Sequence, residues 1–428
     1  MRRCLLIHTN SHVLLTAFVA LATLVSSGVT EPLGVEKARC ADAFVDAIGV
    51  NVHLSYYDTA YSNYFGVIKP RLLEAGIRHV RDGCPSKDQK DFQNRLNDLG
   101  QAGIRSMLIC SPQAGSLTNT VAVLKQLSVS VERVEGPNET DGAGIAYQGR
   151  GFPEGTRAFQ NDLFAAVKAD PELARLPVVV TSISNPEKAS LLGPLASADF
   201  ANTHCYAGGY PPGFRWNWYM ERCITNSVRP ILATESGYHT AFRHTDGLWM
   251  HGVSEAAQGK YLSRMLAEYF TRGILRTYVY ELLNLKDAPQ HSESNFGIVR
   301  ANGEPKPAFT AIQNLIALLS DAGPVFEPAS LSFAINGEIE PARHLLLQKR
   351  DGRFFLLLWI NAVSFDTAAK QDKPFTPQPA RLVFAKPITR AKAWLPLERR
   401  EPVASFGPAT EVTVNVPDHL LVLEIETR

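Results

Sequence analysis

Eight short β-branched runs, each followed by a stretch with helical apolar spacing, recur along the first three quarters of this chain. They occupy residues 48–55, 77–82, 105–110, 130–135, 177–182, 200–205, 230–234 and 275–280. Strands separated by whole helices cannot form hairpins, so they pair in parallel with the helices as crossovers. Eight such units are the number that closes into a barrel. The intervening helices carry their own punctuation. Phe65, Ile68, Leu72 and Leu73 are spaced for one helical face and stop at Gly76, a residue suited to a left-handed C-cap. Ser254 opens a run through Tyr261, Leu262, Met265, Leu266 and Phe270 that Gly273 closes, and Lys306-Pro307 opens a last one through Leu315, Leu318 and Leu319.

Beyond Gly323 the period changes. Alternating runs at 345–348, 354–360, 380–384, 391–394, 412–416 and 420–425, divided by Gly, Pro and Asp turns, predict a small antiparallel β-sandwich, with 373–379 as a loop. The expected fold is therefore α/β: a (β/α)8 TIM barrel over 28–323, then a C-terminal sandwich over 324–428. Residues 1–27 read as an export signal, with Arg2 and Arg3 before an apolar run at 13–25 and small residues at Ser26 and Ser27. That run falls short of the roughly 20 residues that span a bilayer, so no stable membrane insertion is expected after its removal, and the mature protein is expected to be secreted or periplasmic.

Charge narrows the partners. With 43 Lys and Arg against 42 Asp and Glu, the chain has no field to hold a polyanion, so nucleic acid is not expected as a partner. After Cys4 leaves with the leader, Cys40, Cys84, Cys110, Cys205 and Cys223 remain without metal-ligand spacing. One or two disulfides could form in an oxidising compartment, with Cys84 and Cys110, or Cys205 and Cys223, as the first candidate pairs, and at least one thiol stays unpaired.

A barrel of this kind collects its functional residues at the C-terminal ends of the strands. Two glutamates stand there: Glu139, in Glu135-Gly136-Pro137-Asn138-Glu139, and Glu235, in Ala233-Thr234-Glu235-Ser236-Gly237. One carboxylate to attack a sugar carbon and another to protonate the leaving oxygen must face each other across about 5 Å, and only a closed fold can join two residues so distant in sequence. The pair points to a retaining glycosidase. Glu135, inside its strand, is expected to support the site from below or to pair inside the barrel.

In these residues the chain resembles the clan A glycoside hydrolases, nearest to families such as 39 or 5. Asn138-Glu139 after strand four, Glu235 after strand seven, Arg81 at the end of strand two and His204-Cys205-Tyr206 after strand six carry the likeness, with Asn295-Phe296-Gly297-Ile298-Val299 and Lys306-Pro307-Ala308 following strand eight. The resemblance implies that Glu139 is the acid/base and Glu235 the nucleophile. It further implies that Asn138 donates to the sugar 2-hydroxyl, that Arg81 lies near the nucleophile, and that Tyr206 hydrogen-bonds it from a His-x-Tyr in which His204 is a substrate-binding residue. Many clan members end strand eight on a tryptophan sugar platform; Tyr280 stands at that place here.

Aromatic side chains crowd the same loops: Tyr56, Tyr57, Tyr61 and Tyr64 after strand one, Tyr210, Trp216 and Trp218 after strand six, Tyr238 and Trp249 after strand seven. Aromatic faces stack on sugar rings, so Trp216 or Trp218 is expected to touch substrate; the other reading is that they anchor a helix to the barrel wall. The expected partner is an oligosaccharide or polysaccharide, and neither cofactor nor metal is called for. Two rival functions use the same residues: a transglycosylase on the same carboxylates, and a catalytically silent glycan-binding protein.

Overall fold

A computed structural model describes residues 33–223, 230–337 and 342–427; the apolar leader lies outside them. Eight parallel strands, Ile48–Asn51, His79–Gly83, Arg105–Ile109, Val131–Glu135, Val178–Val179, Ala201–His204, Ile231–Ser236 and Ile274–Val279, pair in chain order with the first beside the last. The ring closes between the fifth and sixth, where Val179 bridges Phe200 and the Val180 N–H donates to the Phe200 carbonyl at 3.1 Å. Met107, Val179, Leu232 and Tyr278 fill the interior as a buried cluster with Phe200 against it. Gly49 makes room for that plug, since a Cβ there would stand 2.5 Å from the Tyr278 ring.

Two of the strands are shorter than the apolar runs that announced them. After Asn51 the chain is captured from the side: Leu54 N–H donates to the Asp82 carboxylate at 2.8 Å, which bends the segment over the barrel mouth. After Val179, Thr181 N–H turns to the Gln160 side chain at 3.0 Å. Hydrogen bonds to side chains have replaced the ladder in both places.

The helices cover the barrel by their apolar faces, as in Lys90–Gln101, which buries Phe92, Leu96 and Leu99, and Glu154–Ala169, which buries Phe159, Leu163 and Val167. Gly76 caps its helix at φ 70°, and Ser254 Oγ caps another by accepting from Ala257 N–H at 3.0 Å. The helix read from Phe65, Ile68, Leu72 and Leu73 differs from the expectation. It opens with a π turn over Tyr64–Ile68 before the α-helix Lys69–Ala75. The wider turn shifts the phase, so Ile68 and Leu72 are buried while Phe65 and Leu73 face out.

The second unit is a sandwich of a four-stranded and a six-stranded sheet, antiparallel except where the edge strand Arg39–Cys40 pairs in parallel. The N-terminal strands Gly34–Lys37 and Arg39–Cys40 join it, pairing with Ser330–Phe333 and with Leu347–Gln348. It is docked through apolar and polar contacts on the barrel helix Glu255–Thr271: Trp359 is buried in the shared core, Arg264 donates to the carbonyls of Ile360 and Ala362, and Tyr261 Oη accepts from Ser364 and Phe365 N–H. That helix is therefore buried on nearly every side.

All five described cysteines are free thiols. Cys84 and Cys110 end neighbouring strands, and Cys223 Sγ donates to the Asn202 carbonyl at 3.1 Å rather than joining Cys205. Among the described residues no helix is long and apolar enough to cross a membrane.

Candidate active site

Arg81 is the centre from which the site is built. It is the third residue of its strand, 2% exposed, and its guanidinium makes five hydrogen bonds in the plane of one fork. Nε and Nη2 donate to Glu135 at 2.6 and 2.9 Å; Nη1 donates to Glu235 at 2.7 Å and to Asn51 Oδ1 at 2.9 Å; Nη2 also donates to Asn138 Oδ1 at 2.7 Å. A planar fork with five N–H groups is the one side chain that can serve two carboxylates and two amides at once. Glu135 is fully buried and also accepts from Asn202 at 2.9 Å, so it holds the arginine from below, as the sequence predicts.

Glu235 points into the cleft with one oxygen on Arg81 and the other accepting from Tyr206 Oη at 2.9 Å. Burial alone would raise its pKa, but the charges of His204 and Arg81 and the bonds from Arg81 and Tyr206 outweigh it and hold the carboxyl below its ordinary value. His204 sits between the two glutamates. Its Nδ1 is 2.9 Å from a Glu139 oxygen and 3.4 Å from a Glu235 oxygen, and its Nε2 is 3.0 Å from Thr234 Oγ1. The Thr234 hydroxyl donates to Asn202 Oδ1 at 2.6 Å, so Nε2 donates to it, while Nδ1 faces the Glu139 and Glu235 carboxyls. Nδ1 carries a proton when the carboxyl facing it is ionised, which makes the ring an imidazolium. Burial opposes that charge, yet Glu235 and Glu139 overcome it and raise the imidazole pKa.

Glu139 reaches the cleft from a tight turn. Its backbone is left-handed at φ 44°, a conformation that costs a residue with a side chain about 1 kcal/mol or more. Ser182 Oγ accepts its N–H at 3.0 Å and donates to Asn138 Oδ1 at 3.0 Å, while the N–H groups of Gly142 and Ala143 close on its carbonyl. Gly136 permits the turn to lie against the Thr181 backbone after strand five and the Gln160 side chain, because a Cβ would stand 3.0 Å from the first and 2.1 Å from Gln160 Oε1. The result is a half-buried carboxylate with an oxygen within 4.8 Å of one on Glu235.

The cleft holds about 960 Å³, near the upper end for small-molecule sites. Asn138, Glu139, Arg81, His204, Tyr206, Glu235, Tyr280 and Trp218 all line it. Trp216 does not: it packs on the barrel wall against Tyr269 at 5.1 Å, under the Arg272 guanidinium, which corrects the expectation that it could meet substrate. Tyr280 stands at the strand-eight position and donates to Glu293 at 2.6 Å; its peptide bond to Glu281 is cis.

Several lining residues were not picked out as site residues from the sequence. His53 stacks on Tyr56 with centroids 4.4 Å apart and turns Nε2 to the buried Glu281 at 3.2 Å. Burial works against the charge on His53, but Glu281 and Asp82 raise its pKa. Asp82, buried among its backbone donors Leu54 and Gly83, is pushed up to about 7 by burial. Glu293 and Arg215 also line the cleft, beside Trp249, one of the loop aromatics singled out in the sequence. Their nearest signal in the sequence is position alone: Asp82 follows Arg81 at a strand end, and the others lie on the long loops after strands one, six, seven and eight.

Glu139, His204 and Glu235 each offer an atom that a transition metal could use. The donor set argues for protons instead. Both Glu235 oxygens already accept from Arg81 and Tyr206, and the Arg81 guanidinium, 2.7 Å away, is a fixed positive charge against a second cation.

No family model matches the chain, and no curated protein matches it in sequence. Solved structures do match in shape. The fold is similar to that of a family 39 glycoside hydrolase from the gut symbiont Bacteroides cellulosilyticus WH2, 13% identical, at a TM-score of 0.57 over 91% of this chain and 81% of that one. It is similar also to a glucosidase from Croceicoccus marinus, 12% identical, at a TM-score of 0.55 over 94% of this chain and 98% of that one. At such identities the likeness establishes the fold, barrel and sandwich together, and leaves the chemistry to the side chains.

Proposed function

We propose that a chain with this fold and this pair of carboxylates is an exported retaining glycoside hydrolase, acting on a β-linked or equivalent equatorial glycoside of an oligosaccharide or polysaccharide. The observation that carries the reading is the separation of the two carboxylates, with oxygens of Glu139 and Glu235 within 4.8 Å. Retaining enzymes hold their carboxyl groups about 5–5.5 Å apart, whereas inverting ones leave roughly 6.5–9.5 Å for a water.

The roles follow from the partners. Glu235, kept ionised by Arg81 and Tyr206, attacks the anomeric carbon and forms a glycosyl ester, while Glu139 gives its proton to the leaving oxygen. Ester formation removes the negative charge on Glu235. His204, beside both carboxyls, keeps Glu139 in place for the second step, in which Glu139 takes a proton from the attacking water. Asn138 lies next to Glu139 with its amide oxygen fixed by Arg81 and Ser182, so its NH2 group is left to donate to the 2-hydroxyl. The apolar leader would carry the protein to the periplasm or the medium.

A transglycosylase would use the same two residues and differ only in what reacts with the ester. Product analysis with and without added sugar acceptor separates the two. The principal test is chemical: Glu139→Ala should lose roughly 10²–10⁴-fold on a substrate with a poor leaving group. Azide should rescue its turnover of an activated aryl glycoside and yield a glycosyl azide of retained configuration. Inversion at the anomeric carbon in the wild type, or full activity in Glu139→Ala or Glu235→Ala, would end the proposal.

A further inference from the structure

The cleft has two chemically different walls, and the glycosidase reading says which sugar meets each. Glu139 protonates the leaving oxygen, so the leaving residue lies on the side of Glu139 and of the loops after strands five to seven that flank it. There Asp141 is tied to Ser184 and Asn185, and beyond them stand Trp218, Arg215 and Trp249. The opposite wall, after strands one, two and eight, carries Asp82 and Glu293 with His53, Tyr56 and Tyr280.

The cleft contains two arginines, and only one is spoken for. Arg81 is spent on Glu135 and Glu235. Arg215 forms no ion pair with any described carboxylate; its guanidinium carbon lies 5.8 Å from the ring centroids of both Trp218 and Trp249 and 5.4 Å from that of Phe214. The neighbouring cations are committed elsewhere, Arg222 to Glu187 and Lys188 to Asp141. Trp218 is fixed in place by its indole N–H on Glu187 at 2.7 Å, and half-exposed Trp249 packs over Gly208. A free guanidinium flanked by two indoles offers a pyranose both a face to stack on and a charge to meet.

We infer that the leaving-group side of this cleft binds a sugar residue bearing an anionic group, a carboxylate or a sulfate ester, with Arg215 as its counter-charge and Trp218 and Trp249 as its walls. This rests on the glycosidase reading and deepens it. The glycone side has acids and no uncommitted cation, so the terminal sugar it accepts is not itself a uronic acid. The substrate is then a neutral glycone joined to an acidic residue.

Acceptor competition tests it. Wild-type enzyme is given an aryl glycoside donor that it turns over, together with one of two matched acceptor pairs: glucose against glucuronic acid, and glucose against glucose 6-sulfate. Capture of the glycosyl group should favour at least one acidic acceptor about tenfold over its neutral twin, the worth of one charge-assisted hydrogen bond. The preferred anion identifies the group recognised. Arg215→Gln should bring that ratio to about one, Arg215→Lys should leave it in between, and high salt should shrink it in the wild type. Should Arg215→Gln fail to fold, as read by its melting curve, the wild-type salt dependence and Arg215→Lys carry the test. Equal capture within both pairs, or an acid preference that survives Arg215→Gln, overturns the inference. If no aryl glycoside is turned over at all, it is the glycosidase reading that falls.

Discussion

Replacing Arg81 with methionine separates what this residue does for the fold from what it does for the chemistry. The substitution keeps an unbranched stem as far as the Nε position and removes five hydrogen bonds, leaving fully buried Glu135 with only Asn202 and a long contact to Thr234. Removing one partner of a buried ion pair costs about 3–5 kcal/mol, because the remaining charge is stranded in low dielectric. At 428 residues the unfolding entropy is about 0.9 kcal/mol per kelvin, so the melting temperature should fall by roughly 3–6 °C. If the stranded Glu135 charge is the cause, adding Glu135→Gln should restore a large part of that loss. The amide introduced there can still accept from Asn202 and carries no charge, so the double variant should be more stable than the sum of the singles by about 2 kcal/mol.

Activity should not follow stability. In both Arg81→Met and the double variant, Glu235 has lost the 2.7 Å bond and the charge that help keep it ionised, so the acid limb of kcat/KM should move to higher pH in each. Scanning calorimetry and a pH profile on an activated aryl glycoside measure the two effects. Strict additivity of the two substitutions would refute the stranded-charge argument. An acid limb that returns with stability would refute the separate role assigned to the Arg81–Glu235 bond.

Tyr206→Phe deletes the other donor to Glu235 and should lower kcat/KM about tenfold or more, with a smaller upward move of the acid limb and little change in melting temperature; an unmoved limb would count against the hydrogen bond. Asp82 carries a different pH dependence. Because burial pushes it up to about 7, the folded chain keeps a proton there that the unfolded chain releases near pH 4, so stability should fall as pH rises from about 4 to about 7. Melting temperatures across that window should show a flatter slope in Asp82→Asn, and an unchanged slope would remove Asp82 as its source. Trp359→Ala opens the core shared by sandwich and barrel and should cost about 3–5 kcal/mol, with earlier proteolytic release of the sandwich; a melting curve like that of the wild type would mean the units are held by other contacts.

The barrel was legible because its strands are buried on both faces and so appear as short β-branched runs, and because the helices between them keep one apolar face each. The site was legible where a residue is tied to a strand end. Arg81, His204 and Glu235 lie within the ladder, and Asn138, Glu139 and Tyr206 follow it by a few residues, so counting strands locates them. His53, Glu293, Arg215 and Trp249 hang on loops whose path no period describes. Strand Gly34–Lys37 was missed because it is largely exposed and shows no alternation.

Trp216 and Trp218 show where the information stops. Two residues apart on one helix, they point about 200° away from each other, so no more than one could face the cleft. Which one does depends on where the helix begins, and its start at Trp216 follows a left-handed Arg215 and Gly213 at φ 84°, a loop geometry set by contacts with Trp249 and Glu268. The same turn that sends Trp216 to the barrel wall brings Trp218 and Arg215 together at the mouth. The two facing carboxylates are thus placed at or just beyond strand ends, which short-range pattern encodes. The surface that would choose the substrate is specified by a loop whose conformation depends on the finished fold.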